Sequence, residues 1–180
     1  MDDVDYRIRQ AELSDAAALA HVDEATWRET YAGLMSEQML DAFTADARAQ
    51  VWRKILGGET RRPATVYVAE RGCQLVAFSS CGPQTDEDFA TAGYAGEFTS
   101  VYVLQSDQRQ GLGKKLMKAM MSDLTSRGLV GFTLWVPREN IPARSLYEQL
   151  GGKLAGQREI KRGQSALTEV AYAWAGNPIR

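Results

Sequence analysis

Apolar and polar positions along this chain change their spacing at short intervals, and the changes mark its elements. Tyr6-Arg7-Ile8-Arg9 alternates, which predicts a short first strand. Ser14 or Asp15 suits the N-cap of a helix running to about Tyr31, with Leu19, Val22, Trp27 and Tyr31 as its inner face and Gly33 as its stop. Ser36 is a plain N-cap, since Met39 rather than an acid follows three residues on. The second helix is expected to reach about Leu56, with Leu40, Phe43, Val51, Trp52 and Ile55 as apolar contacts and Gly57-Gly58 as its end. Thr65 to Glu70 and Gln74 to Cys81 are β-rich runs parted by Arg71-Gly72-Cys73, a hairpin signal. Residues 82–95 are acidic and turn-rich, and a mobile loop is expected there.

A strand over Glu97 to Leu104 comes next, then an apolar stripe of Leu112, Leu116, Met117, Met120, Met121 and Leu124 at helical spacing. Gly131 to Val136 is nearly all apolar and suits the interior of a sheet. Ala143, Leu146, Tyr147 and Leu150 share one face of a helix over Ile141 to Leu150, stopped by Gly151-Gly152. Lys153 to Ile160 and Ala166 to Trp174 form a last hairpin around Arg162-Gly163. The order β-α-α-β-β-β-α-β-α-β-β is that of one α+β domain with a mixed sheet over residues 1–180, its core about 5–175.

Between the central strand and helix lies Gln108-Arg109-Gln110-Gly111-Leu112-Gly113. Glycines there allow a tight turn and close approach to bare N–H groups. A helix that begins at such a loop aims unpaired donors and partial positive charge at whatever lies over it. Arg109, Lys114 and Lys115 crowd this terminus, where each cation opposes the helix dipole by roughly 0.3–1 kcal/mol. A bound anion would reverse that penalty, so a phosphate-bearing ligand accounts for loop and charges together; a surface turn with solvated lysines is the plainer alternative. The dinucleotide fingerprint fails because Leu116 stands where a third glycine is required, and the P-loop fails because Gln108 stands at its first glycine.

Composition narrows the picture little. An apolar fraction of 44% and a charged fraction of 24% are ordinary for a soluble globular domain. A net charge of −2 gives no electrostatic case for nucleic acid or an anionic membrane. No apolar run approaches a membrane span, and the acidic start MDDVDYRIRQ is not a secretory leader. Cys73, Cys81 and His21 supply no zinc motif, and free thiols in a reducing cytoplasm are the default.

The run Val103-x4-Gln108-x-x-Gly111-x-Gly113 resembles the acetyl-CoA signature of the GNAT superfamily of N-acetyltransferases. Asn140-x-x-Ala143-Arg144-x-Leu146-Tyr147-x-x-Leu150-Gly151 resembles the second signature of the same family. The resemblance implies a mostly antiparallel sheet flanked by helices, acetyl-CoA as co-substrate, and a homodimer in many members. It also implies that the backbone of the 108–114 loop (Gln108, Arg109, Gln110, Gly111, Leu112, Gly113 and Lys114) grips the pyrophosphate. The pantetheine arm would pair with Val101, Tyr102 and Val103, and Asn140 would reach the same arm. Asn140 has a second reading as a residue of the helix N-cap.

Acyl transfer to an amine also needs a base and a group to receive the leaving thiolate. An amine of pKa near 10.4 is neutral only about one part in a thousand at pH 7, which costs roughly 4 kcal/mol unless a base or desolvation helps. In the pattern this chain resembles, Tyr147 is the acid and Glu97 the base. Read without it, Tyr147 is a core tyrosine and Glu97 a solvated strand-end carboxylate. His21 is a lesser candidate base, and neither cysteine has a partner that would make it a nucleophile.

Trp27 and Tyr31, one turn apart, would line an acceptor pocket built from the first two helices and the 82–95 loop. Trp27-x-x-Thr30-Tyr31-x-Gly33-Leu34 resembles a bacterial subgroup that includes polyamine acetylases. Asp86, Glu87 and Asp88 would suit a cationic acceptor or merely aid solubility. The expected acceptor is a small primary amine. A peptide amino group, or a non-catalytic acetyl-CoA sensor, are the alternatives.

Overall fold

The computed structural model describes residues 5–61, 63–162 and 165–176. Seven strands form one sheet in the order β1-β2-β3-β4-β5-β7-β6: β1 Tyr6–Gln10, β2 Thr65–Arg71, β3 Gln74–Pro83, β4 Gly96–Val103, β5 Phe132–Pro137, β6 Lys153–Arg162 and β7 Ser165–Trp174. Every neighbouring pair is antiparallel except β4 with β5.

Helices cover both faces. On one face α1 (Ala16–Tyr31) and α3 (Ala45–Leu56) pack on β2 and β3, burying Leu19, Val22, Trp52, Val66, Val68 and Phe78. Asp23 of α1 is buried and accepts from Arg48 Nε at 2.7 Å and Trp52 Nε1 at 2.8 Å, which ties the two helices together. Burial pushes the Asp23 carboxyl up, against the pull of Arg48. On the other face lie α5 (Leu112–Ser126) and α6 (Ile141–Gln149). Leu116, Met117, Met120, Met121 and Leu124 of α5 are almost wholly excluded from water, each worth about 1.5–3 kcal/mol of apolar burial. The three methionines and Leu124 meet Phe98, Phe132, Leu134, Tyr147 and Trp174 in the core of this face, while Leu116 packs with Leu112 on Ala69, Val76 and Ala77.

The structure departs from the sequence pattern at four places. The second expected helix is broken into α2 (Glu37–Asp41) and α3. Thr44 is extended and its hydroxyl accepts from Ala47 N, so a new cap restarts the helix. Val51, expected inside, lies 38% exposed. Residues 82–95 are not a bare loop: β3 runs on to Pro83, and Asp86 caps the short α4 (Glu87–Thr91) by accepting from Asp88 N and Phe89 N. At the start of α1, neither Ser14 nor Asp15 makes a side-chain cap; a 3-10 turn over Leu13–Asp15 comes first, closed by a capping box between Glu12 and Asp15. The turn of the last hairpin, Gly163 included, lies outside the described residues.

Candidate active site

Parallel pairing of β4 with β5 is confined to Gly96↔Phe132 and Glu97↔Thr133. Beyond that point β5 keeps its partner β7 as far as Pro137, while the edge of β4 facing β5 has no strand partner among the described residues. The cause lies on the opposite edge of β4. Ser80 pairs with Ser100 but Cys81 pairs with Phe98, so Thr99 is an extra residue, a bulge. Its hydroxyl donates to the Ser80 carbonyl at 3.2 Å and lies 2.6 Å from the Ser80 hydroxyl. A bulge bends a strand and increases its twist, and here β4 parts from β5. The resulting slot is lined by Phe98 to Tyr102 on one side and Leu134 to Pro137 on the other. Thr30 and Tyr31 of α1, with Asn140 and Tyr147 of α6, complete it.

The 108–114 loop lies past the end of β4. Its anchor is Asp107, wholly buried, which accepts from the Tyr6 hydroxyl at 3.0 Å and the Ser106 hydroxyl at 2.6 Å and pairs with Arg71 at 2.9 Å. Gln108 reaches back, its Nε2 donating to the Val103 carbonyl at 3.1 Å. Two residues then take positive φ, Arg109 at 63° and Gly111 at 77°. A non-glycine residue there carries about 1–2 kcal/mol of steric cost. Such alternation curls backbone N–H groups into an anion-binding concavity, directly ahead of the N-terminus of α5. Arg109, Gln110, Lys114 and Lys115 are exposed around it. Gly113 lets α5 approach α6: a Cβ there would sit 2.8 Å from Leu146 Cδ2.

Tyr147 is buried, and its ring packs edge-on against Trp174 and at a tilt against Tyr172. Burial pushes its phenol well above the ordinary range, with the nearby Tyr31 adding to the shift. Tyr102 is raised by burial too and hydrogen-bonds Tyr31. These phenols, gathered at the slot, are neutral donors. Asn140 is the N-cap of α6, its Oδ1 accepting from Ala143 N at 3.2 Å, and the residue also lines the slot.

Glu97 sits at the closed end of the splay, opposite Thr133, and does not itself line the slot. Phe98 faces the α5 core, so Glu97 points to the other face, as successive residues of a strand must. Its carboxylate accepts from Thr85 N at 3.0 Å and Thr85 Oγ1 at 2.5 Å. Gln84 steadies this contact, donating to Thr133 Oγ1 at 2.7 Å and accepting from Thr85 N at 3.0 Å. Of the expected acceptor pair, Tyr31 lines the slot and Trp27 does not. Trp27 stacks on Phe43 at 4.3 Å and touches Tyr31 at 4.2 Å, so its ring is spent on joining α1 to the α2–α3 break. His21 is exposed on α1 and is not part of the lining.

Sequence reasoning missed Thr99, Trp135, Gln84, Thr85 and Asp107. The bulge carries no glycine to announce it, and Trp135 is one more apolar residue in an apolar strand. Thr85 stands in an acidic run whose fold was not evident. Only Asp107, a lone acid between a strand and a basic loop, offered a signal.

Among solved structures, the PaiA N-acetyltransferase of Thermoplasma acidophilum in complex with coenzyme A superimposes with a TM-score of 0.68 at 18% identity, covering 92% of this chain and 98% of that one. YncA of Salmonella typhimurium with its cofactor acetyl-CoA gives 0.68 at 22% identity, covering 94% and 93%. In sequence, the uncharacterized N-acetyltransferase YuaI of Bacillus subtilis is 27% identical across 93% of this chain and 91% of that protein. The family model for the acetyltransferase (GNAT) family matches residues 21–152. That span holds most of the α1–α3 cover, the splayed strands, the positive-φ loop and Tyr147, and with it this chain belongs to the GNAT family of N-acetyltransferases.

Proposed function

We propose that the protein transfers the acetyl group of acetyl-CoA to the primary amine of a small molecule, by direct attack while both substrates are bound. The observation that carries this reading is the unpaired inner edge of β4, which runs from the positive-φ loop to the slot holding Tyr147. The backbone of Val101 to Val103 can take up the amide groups of the pantetheine arm as a missing strand would. N–H groups of 109–114 and the N-terminus of α5 meet the diphosphate, and Arg109, Lys114 and Lys115 offset its charge. The thioester then lies beside Tyr147.

The acceptor enters on the face of α1, past Tyr31, where Glu97 takes its ammonium proton directly or through a water. The free amine attacks the thioester carbonyl carbon. A C–N bond forms and the C–S bond breaks; the sulfur takes a proton from Tyr147, and the second proton given up by the nitrogen restores the phenol, which burial holds protonated at rest. Products are the N-acetylated amine and CoA thiol. Thiol release measured across a panel of small amines tests the reading. Release that depends on the amine and saturates with it is expected. Binding of acetyl-CoA with no release for any amine would turn the reading towards a sensor.

A further inference from the structure

The β5 wall of the slot carries Trp135, whose neighbours Leu134 and Val136 face the α5 core. Trp135 therefore turns to the opposite face, the one reached by the acceptor. Over its ring lies the guanidinium of Arg158 from the edge strand β6, 4.1 Å from the ring centroid. Arg158 is held from beneath. Its Nε donates to Glu169 Oε2 at 2.8 Å and its Nη2 lies 2.7 Å from the same oxygen. The Glu169 side chain is 9% exposed and that of Arg158 43%, so the acid is underneath and the cation faces out. Both contacts use one edge of the guanidinium fork. Nη1 meets no acceptor among the described residues, which leaves open the Nη1–Nη2 edge, the one that takes a carboxylate in plane. The aromatic platform and the buried counter-charge fix the fork in place before any ligand arrives.

Position gives the fork a use. Glu97 is paired with Thr133, and Trp135 is two residues further on the same face, about 7 Å along the strand. A group gripped by Arg158 thus lies a few bonds from an amine at the slot mouth. Two acids on this face are already engaged, Glu97 by Thr85 and Glu169 by Arg158. We infer that Arg158, stacked on Trp135, reads a carboxylate on the acceptor, so that the substrate is a small amino acid in which amine and carboxylate are a few bonds apart. This rests on the acetyltransferase reading of the slot. It departs from the polyamine acceptor suggested by residues 27–34, because a polycation would meet the Arg158 charge beside the slot.

The test compares amino acids with their carboxamides, which keep the amine and lose the charge, and with plain diamines. Wild type should favour the acids in kcat/KM by roughly tenfold to a hundredfold, the worth of a charge-assisted hydrogen bond. In Arg158→Gln that preference should fall close to one, mainly through acceptor KM, with acetyl-CoA KM unchanged. Because this variant leaves Glu169 without its counter-charge, Arg158→Gln/Glu169→Gln, a neutral hydrogen-bonding pair, is measured beside it and should behave alike. Arg158→Lys should restore part of the preference. The inference is overturned if wild type turns over amides or diamines as well as the acids. It is equally overturned if the variants lower acids and amides by one common factor, as a structural pair would, or if no acid turns over. Calorimetry with acetyl-CoA on the same preparations separates the two levels: a wild type that binds acetyl-CoA but shows no preference for the acids removes only the carboxylate reader, and a wild type that does not bind acetyl-CoA removes the slot assignment itself.

Discussion

Tyr147→Phe isolates one oxygen atom. The ring keeps its contacts with Tyr172 and Trp174, so the fold loses only a hydroxyl at the wall of the slot. What the reaction loses is a proton donor. General acid catalysis is typically worth about 10²–10⁴-fold. The leaving thiol, if like cysteine with a pKa of about 8.5, departs fairly well unaided, which points to the lower end. A fall of about 10²-fold in kcat corresponds to roughly 2.7 kcal/mol of barrier. The change in stability should stay within about 1 kcal/mol, or about 2–4 °C in Tm for a chain of this size.

The pH profile adds a signed check. Activity needs protonated Tyr147 and is lost as pH rises through its pKa. Burial raises that pKa above the ordinary value of 10.0, so wild type should show no tyrosine-dependent fall below the usual tyrosine range. Thiol release gives kcat and KM, calorimetry gives acetyl-CoA affinity, and scanning calorimetry gives Tm. Activity within about twofold of wild type together with a lowered Tm would make Tyr147 a structural tyrosine. Lost affinity with kcat intact would make it a cofactor ligand.

Further outcomes follow from single contacts. Glu97→Gln should cost most at low pH, where free amine is scarce, and least near pH 9; a profile parallel to wild type would exclude Glu97 as the base. Thr85→Val removes the hydroxyl on the Glu97 carboxylate and should reproduce part of that loss in kcat with acetyl-CoA KM unchanged, while Thr85→Ser restores it. Asp23→Ala strands Trp52 Nε1 and the Arg48 guanidinium; breaking such a pair costs about 3 kcal/mol or more, seen as a Tm lower by roughly 6–12 °C. A Tm within about 2 °C of wild type would show that the pair is not coupled to the fold. Burial pushes the Cys81 thiol up to about 12, which leaves about one part in ten thousand as thiolate at pH 8. Exposed Cys73 should therefore alkylate in the native protein and Cys81 only after unfolding, and rapid loss of both thiols would contradict the packing around Cys81.

Much of this fold could be read from spacing because its helices and strands carry uninterrupted stripes. The apolar face of α5, from Leu112 to Leu124, needed only its period, and glycines at 111 and 113 marked the loop ahead of it. What escaped the sequence depended on pairing between distant segments. Thr99 becomes a bulge only because Ser80 and Cys81 find partners on either side of it, and no local propensity encodes that. The break at Thr44 was hidden because a threonine is tolerable inside a helix until its hydroxyl finds Ala47 N. Residues 82–95 looked mobile from their acids and turns, yet Asp86 is a cap and Gln84 bridges β4 and β5. Arg158 belongs to a strand of mixed polarity, and its place over Trp135 required the β5-β7-β6 order. The catalytic candidates divide the same way: Tyr147 stood in a recognisable run, while the contacts holding Glu97 came from a segment with no pattern.

The account turns on whether the loop at 109–114 and the open edge of β4 bind acetyl-CoA. Isothermal titration of acetyl-CoA into wild type and Gly111→Asp tests it most directly. Gly111 has positive φ and open space around it, and aspartate tolerates that backbone better than most residues, so the variant should fold while placing a carboxylate where the diphosphate belongs. The account predicts one site per chain in wild type, and binding lost in the variant with its Tm nearly unchanged. Equal affinity in the two proteins, or no binding by wild type, would contradict it.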